Sequence, residues 1–227
     1  MKALIPVIGI GLFTSLLVLQ AAERPGPYVK FDIGGTIQQD LKIRALDGIT
    51  APNSKFTFDP GARFDFAAGY NFNEALAVEF EVGMSYNQVD EIRLFGTALP
   101  RIEPEPLFFG PDDEDGFRGR GLGFYQVPLM INVIYTLPLD SRVRPFIGAG
   151  AGGIASVFEG DRDHDSDFTF GYQGQAGLTF LLNPHMDIGV VYKFMGALPQ
   201  RFRFEFGDVQ TDPTYSHSIL AAFTFNF

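Results

Sequence analysis

The chain has 227 residues, no cysteine, no tryptophan and a formal charge of −10. The missing cysteine excludes disulfides, thiolate metal sites and cysteine nucleophiles, and the acidic balance disfavours nucleic acid as a partner. Hydrophobic residues make up 46% of the chain while mean hydropathy stays close to zero, so apolar and polar residues are interleaved and a helical membrane bundle is excluded.

Residues 1–22 read as a cleaved secretory signal, with Lys2, an apolar stretch over residues 3–19 broken by Pro6, Gly9 and Gly11, and then Ala21 and Ala22. The competing reading is a retained anchor. It is disfavoured because the stretch is shorter than the ~20 residues a spanning helix needs. Cleavage after Ala21 or Ala22 makes Ala22 or Glu23 the first mature residue, with residues 23–227 as one domain.

Beyond the leader the dominant period is two, which predicts strands rather than helices. Residues 28–36 set Val29, Phe31 and Ile33 against Lys30, Asp32 and Gly34. Residues 61–72 set Phe64, Phe66, Tyr70 and Phe72 against Arg63, Asp65, Gly69 and Asn71. In residues 75–87, Leu76, Val78, Phe80, Val82, Met84 and Tyr86 oppose Ala77, Glu79, Glu81, Gly83 and Ser85. Residues 122–135 alternate Tyr125, Val127, Leu129, Ile131, Val133 and Tyr135 with Gln126, Pro128, Met130 and Asn132. Pro128 lacks a ladder donor and predicts a bulge or local irregularity. The glycine-rich residues 143–155 place Ile147, Ala149 and Ala151 opposite Arg144, Gly148, Gly150 and Gly152. Residues 168–182 oppose Phe168, Phe170, Tyr172, Leu178 and Phe180 to Gly171, Gln173, Gln175 and Thr179, and residues 186–194 oppose Ile188, Val190, Tyr192 and Phe194 to Asp187, Gly189 and Lys193. The last strand, residues 215–227, carries Ile219, Phe223, Phe225 and Phe227 on one wall and Ser216, Ser218, Thr224 and Asn226 on the other.

The apolar walls are nearly free of charge over the ~9–11 residues of a tilted membrane strand, while charge and glycine share the opposite walls. Connectors alternate in length: long at residues 37–60, 88–121, 156–167 and 196–213, short at 73–74, 136–142 and 183–185. Short turns on one side and long loops on the other, with apolar faces outward, predict an all-β, eight-stranded antiparallel transmembrane β-barrel with both termini on the short-turn, periplasmic side.

Three segments carry a resemblance: Gln126, Val127, Pro128 and Leu129 running on to Tyr135; Arg144, Pro145, Phe146 and Ile147 running into the alternating glycines; and the terminal run from Ala222 to Phe227. Together they resemble the bacterial outer-membrane β-barrel superfamily that includes the OmpA transmembrane domain, OmpX and the neisserial opacity proteins. The resemblance covers essentially the whole mature chain and implies residence in the outer membrane, with outer-membrane lipid as its surroundings and no cofactor. Phe223, Phe225 and Phe227 look like the assembly signal read by the barrel-assembly machinery. No peptidoglycan-binding domain follows, so the anchoring role of longer relatives is not implied. The role expected is structural or adhesin-like surface interaction through extracellular loops. A narrow pore for ions or small solutes is the alternative, and a lipid-modifying barrel enzyme comes third.

Candidate sites follow from the inward wall, where Lys30, Arg63, Arg144 and Lys193 face Asp32, Asp65, Glu79, Glu81 and Asp187. These line an ion path or form a packed ion-pair network. An eight-stranded lumen is just wide enough for side chains to fill, so the network is expected. Asp161, Asp163, Asp165 and Asp167 form a carboxylate run in the third loop, a weak calcium candidate without the sixth-position glycine or twelfth-position glutamate of a calcium loop. A solvated acidic loop is the reading preferred, and the scattered His164, His185 and His217 offer no metal cluster. The second loop joins Leu107, Phe108 and Phe109 to the acidic residues 112–115, marking either an extracellular contact or a fold over the barrel mouth. In the fourth, Phe202, Phe204 and Phe206 alternate with Arg201, Arg203 and Glu205, as in a strand raised above the membrane whose arginines reach lipid phosphates. Ser216, His217 and Ser218 do not form a catalytic pair, because in a strand both serines point away from the histidine. The intact mass of protein extracted from membranes is expected to lack residues 1–21 or 1–22; a mass that includes them refutes the cleaved leader.

Overall fold

A computed structural model describes residues 25–98, 122–159, 164–204 and 207–227. The leader, the second-loop residues 107–109 and 112–115, Asp161, Asp163, Glu205 and Phe206 lie outside the described residues. Fourteen strands are present among those described: β1 (Gly26–Gln38), β2 (Leu41–Leu46), β3 (Ile49–Thr50), β4 (Lys55–Phe58), β5 (Gly61–Asn71), β6 (Leu76–Leu94) and β7 (Thr97–Ala98). They continue with β8 (Gly123–Thr136), β9 (Val143–Glu159), β10 (His164–Leu181), β11 (Met186–Ala197), β12 (Arg201–Phe204), β13 (Gly207–Thr211) and β14 (Thr214–Asn226).

Eight of these close a ring. Reading round it, β1 pairs with β5, then come β6, β8, β9, β10, β11 and β14, and β14 returns to β1, every pairing antiparallel. A closed ring satisfies the backbone donors and acceptors within the sheet, the condition for crossing hydrocarbon with strands. The expected face assignment holds. Phe66, Phe80, Ile131, Ile147, Phe170, Val190 and Phe223 are between 51% and 60% exposed on the outer wall, while Asp32, Glu81, Asn132 and Lys193 on the alternate positions are fully buried.

The remaining strands continue the same wall upward. Strand β2 follows β1, β4 runs into β5, β13 runs into β14 and β12 follows β11, so the order β12, β13, β2, β4, β6 repeats the neighbours found below. A bulge makes this continuation work on β6: the partner of Thr57 is Glu91 but that of Phe58 is Val89, which leaves Asp90 as an extra residue. One inserted residue reverses which side chains face inward. Below it Asn87 is buried and Val89 packs inward, and above it Ile92 and Leu94 pack inward instead.

What fills this upper storey is apolar. Leu41, Ile43, Phe56, Phe124, Phe158, Phe202, Phe204 and Val209 form one buried cluster. Phe158 is its hub, with ring centroids 5.1 Å from Phe56, 4.6 Å from Phe124, 4.8 Å from Phe202 and 5.4 Å from Phe204. The predicted strand at Phe202 and Phe204 is therefore present, with its phenylalanines turned into the cap and Arg201 and Arg203 exposed.

One expectation requires correction, and at Pro128 the second of two stated alternatives is the one observed. Residues 156–159 and 164–167, expected within a long loop, are strand: the β9–β10 ladder runs on to the His164–Glu159 pair, because the inward Ser156 and Phe158 gain partners in the upper storey. Pro128 produces no bulge; its ladder to β9 is unbroken, and towards β6 pairing lapses only between Val82–Leu129 and Ser85–Gln126, with register kept. The irregularity is confined to missing pairs, as a ring nitrogen without a hydrogen requires.

Truncating Phe158 to Ala removes the hub of the cap and is expected to cost about 3–5 kcal/mol. Urea titration of the barrel refolded in detergent measures this. An unchanged midpoint refutes the cap as a packed core.

Candidate functional site in the barrel lumen

Strand β8 passes through every layer of the interior. Rising from its short-turn end, its inward residues are Ile134, Asn132, Met130, Pro128, Gln126 and Phe124, and all are buried. Ile134 lies in a mixed vestibule, Asn132 in a charged layer, Met130 in an apolar layer, Gln126 in a polar layer and Phe124 in the aromatic cap.

The charged layer is centred on Lys193. Its Nζ lies 2.8 Å from Asp32 Oδ2, 2.8 Å from Asp65 Oδ2 and 2.9 Å from Glu81 Oε2, with all four side chains at most 1% exposed. The three carboxylates come from β1, β5 and β6, across the lumen from the lysine on β11. Arg63 lies alongside, donating from Nε to Asp65 at 2.9 Å and from Nη2 to Glu81 at 3.3 Å and Gln173 at 3.4 Å. Amides complete the sphere: Asn132 Nδ2 donates to Glu81 Oε2 at 3.1 Å, and Gln173 Nε2 donates to Glu81 Oε1 at 3.1 Å and to Asn132 Oδ1 at 2.7 Å. A second group lies nearer the short turns, where Lys30 Nζ and the Tyr28 hydroxyl both donate to Glu79 Oε1, at 2.7 and 2.8 Å.

Backbone space makes these contacts possible. A Cβ on Gly83 would stand 2.1 Å from Asp65 Oδ1, and one on Gly150 would stand 1.9 Å from Asn132 Oδ1. The inward glycines thus leave the cross-section that the charged and amide side chains occupy.

Seven of the nine predicted lumen residues come together here. Arg144 and Asp187 do not join them. Arg144 stands at the short-turn end, 6% exposed, with Nε and Nη2 free of hydrogen-bond partners among the described residues, beside a cavity of about 110 Å³ that Asp187 also lines. Asp187 accepts from Asn226 Nδ2 at 2.8 Å. They enter the barrel from the first turns of β9 and β11, short of the central layer, and this axial offset is what period-two reading cannot register.

Above the charges, Met130, Ile154, Met195 and Ala197 form a buried apolar layer. Next comes a polar layer in which Gln200 Nε2 donates to Ser156 Oγ at 2.8 Å, Gln38 Nε2 donates to Thr214 Oγ1, and Ser218 Oγ donates to Thr36 Oγ1 at 2.9 Å. The aromatic cap closes the top. Sequence reading missed both this cap and the apolar layer; the signal available was the even spacing of Ile154, Ser156 and Phe158 on the inward parity of β9.

The other candidates have structural duties. Asp167 Oδ2 accepts from the Arg201 backbone N–H at 2.8 Å, and Asp165 Oδ2 from that of Arg203, so these carboxylates cap the open edge of β12. No cluster fit to hold a metal occurs among the described residues. Ser216 and Ser218 are buried in the lumen, whereas His217 lies on the outer wall between Tyr192 and Gln39, with ring nitrogens 2.7 Å from each. Phe223, Phe225 and Phe227 occupy the outer face at the closing seam, where Phe223 pairs with Phe31 and Phe225 with Val29.

Comparison with known proteins agrees with this architecture. A profile of the outer membrane protein beta-barrel domain matches residues 8–227. No curated protein sequence matches the chain. Among solved structures, it is similar to the outer membrane protein OprG from Pseudomonas aeruginosa, with a TM-score of 0.57 and 16% identity over 90% of this chain and 98% of that one. It is also similar to Neisserial surface protein A, with a TM-score of 0.53 and 13% identity over 91% and 99%. At such identities the likeness shows the fold alone. The closed eight-strand ring, the apolar outer wall and the profile match over nearly the whole length agree: this chain belongs to the outer membrane protein beta-barrel domain family and resides in the bacterial outer membrane.

Proposed function

We propose that this protein is a closed barrel with a structural and surface-interaction role, exerted through the ordered wall and cap that it raises outside the membrane. One observation carries this: the Lys193 ammonium sits within 2.9 Å of Asp32, Asp65 and Glu81 in a layer without solvent exposure. It occupies the place a permeating cation would need. Passage through the layer requires breaking buried charge pairs, each of which leaves a charge uncompensated in a poorly solvated interior. The apolar layer of Met130, Ile154 and Met195 and the cap around Phe158 are two further barriers in series.

Work at the surface is left to the upper storey, in which the strands Leu41–Leu46, Lys55–Phe58, Arg201–Phe204 and Gly207–Thr211 are held by ladders. The outward Phe223, Phe225 and Phe227 serve as the mark for the assembly machinery. Catalysis is not part of the reading, because the serines beside His217 face the opposite side of the wall.

Lys193→Met keeps the bulk but strips three carboxylates of their shared cation. Stability is expected to fall by about 3–5 kcal/mol, the usual cost of removing one partner from a buried charge network. Thermal or urea unfolding in detergent reads this directly, and a variant as stable as the parent contradicts the network. In planar bilayers the unmodified protein is expected to give no conductance above that of protein-free membrane. Steady ohmic steps would replace this reading with that of a narrow pore.

A further inference from the structure

The outer face of the upper storey carries a row of cations set against one another. Lys42 on β2 pairs directly with Lys55 on β4, and Lys55 pairs directly with Arg93 on β6. Arg44 stands two residues along from Lys42, on the same face. Their neighbours Leu41, Ile43, Phe56 and Ile92 point into the cap, so all four cations point away from it. Like charges directly opposed across a ladder are destabilising, and in a chain of charge −10 they are not explained by composition.

The partners on this face are few. Lys55 Nζ pairs with Asp40 and Arg93 with Glu91 at 2.8 Å, both half-exposed and weakly binding in water. Asp212 borders the same groove, so that among the described residues the four cations face Asp40, Glu91 and Asp212. Lys42 and Arg44 are exposed and take part in no ion pair among the described residues.

Position decides what such a row meets. The strands that carry it are upward extensions of β1, β5 and β6, whose outer faces below are Phe31, Ile33, Phe64, Phe66, Phe80 and Met84. At the rim Tyr86 and Tyr125 meet on the outer wall with ring centroids 4.8 Å apart and planes tilted by 43°. Arg93 lies seven residues beyond Tyr86, one of them spent in the bulge, which places it roughly 15 Å higher at ~3.3 Å per residue and the tilt of a small barrel. A phospholipid headgroup layer extends only ~5–8 Å beyond the hydrocarbon. An amphiphile lying along this wall reaches the row only if its headgroup is long, and engages it only if that headgroup is anionic.

We infer that the face of Lys42, Arg44, Lys55 and Arg93 binds the phosphorylated saccharide headgroup of an outer-leaflet glycolipid whose acyl chains rest on β1, β5 and β6. Lys42 and Arg44 supply the free charges, while Lys55 and Arg93 exchange exposed carboxylate partners for phosphate. The assignment rests on the surface-interaction reading and names its partner.

The test uses the full mature chain in detergent micelles, with phosphorylated lipopolysaccharide as the probe and the same material after phosphatase treatment as its control. Wild-type protein is expected to bind the phosphorylated form, and the double variant Lys42→Gln, Arg44→Gln to bind it at least about tenfold more weakly, the scale set by two cations at an anionic surface. Arg142→Gln, exposed in the short turn between β8 and β9 at the opposite end of the barrel, is expected to leave binding unchanged. Both Lys42 and Arg44 are exposed, so the double variant should fold; retained heat-modifiable migration verifies it, and chemical-shift changes at Lys42 in the unmodified protein give a readout that needs no variant. Equal binding by wild type and double variant, or indifference to phosphate removal, overturns the proposal. So does a preference for a soluble sulfated polysaccharide, which would assign the row to a partner outside the membrane. Conductance by a wild-type protein that still binds the probe would defeat the closed-barrel reading and leave this one standing; a silent barrel that ignores the probe would do the reverse.

Discussion

A strand wall that faces hydrocarbon on one side leaves the other side nowhere to send its polar groups except inward. Eight strands enclose too little space for those groups to stay hydrated, so whatever charge the inner face carries must be paired across the axis. Lys193 among Asp32, Asp65 and Glu81 is the outcome of that constraint. The glycines at positions 83 and 150 follow from it as well, since the paired side chains need the room a Cβ would take. Burying these charges is costly on its own. The closed ladder makes it tolerable by holding donors and acceptors at fixed register, so that one cation serves three carboxylates from three strands.

The interior changes character three times along its axis. Charges give way to methionine and isoleucine, these to a polar layer of amides and hydroxyls, and that to a cluster of phenylalanines. The last change coincides with the wall leaving the membrane. Within hydrocarbon the outer face is apolar and the inner face polar; above the rim the outer face carries Lys42, Arg93 and Arg203 while the inner face carries Phe56, Ile92 and Phe204. Water now lies outside, so the storey folds like a soluble protein with its core at the centre. On β6 the inserted Asp90 reverses the parity at the level where the solvent changes.

This inversion accounts for the mistaken reading of residues 156–159 and 164–167. The acidic run suggested a solvated loop because alternating aspartates have no apolar wall for company. In the fold Asp165 and Asp167 instead terminate the edge of β12 by accepting its backbone N–H groups. Edge capping by a side chain from a distant strand has no local signature, since it depends on β12 arriving beside β10 some forty residues later.

The eight membrane strands, their inward and outward faces and the charged complement of the lumen were legible in the residues themselves. A strand repeats every two positions, and Lys30, Asp32, Arg63, Asp65, Glu79, Glu81 and Lys193 all fell on the parity opposite the phenylalanines. Axial height was not legible. Period two assigns a face but no level, so Arg144 and Asp187 could not be separated from the central network by alternation. Nor could it show that Phe56, Phe124, Phe158, Phe202 and Phe204, spread over nearly 150 residues, would meet. Register between strands fixes height, and register is set by the closing of the ring, which brings β14 back to β1 and exists only in the folded chain.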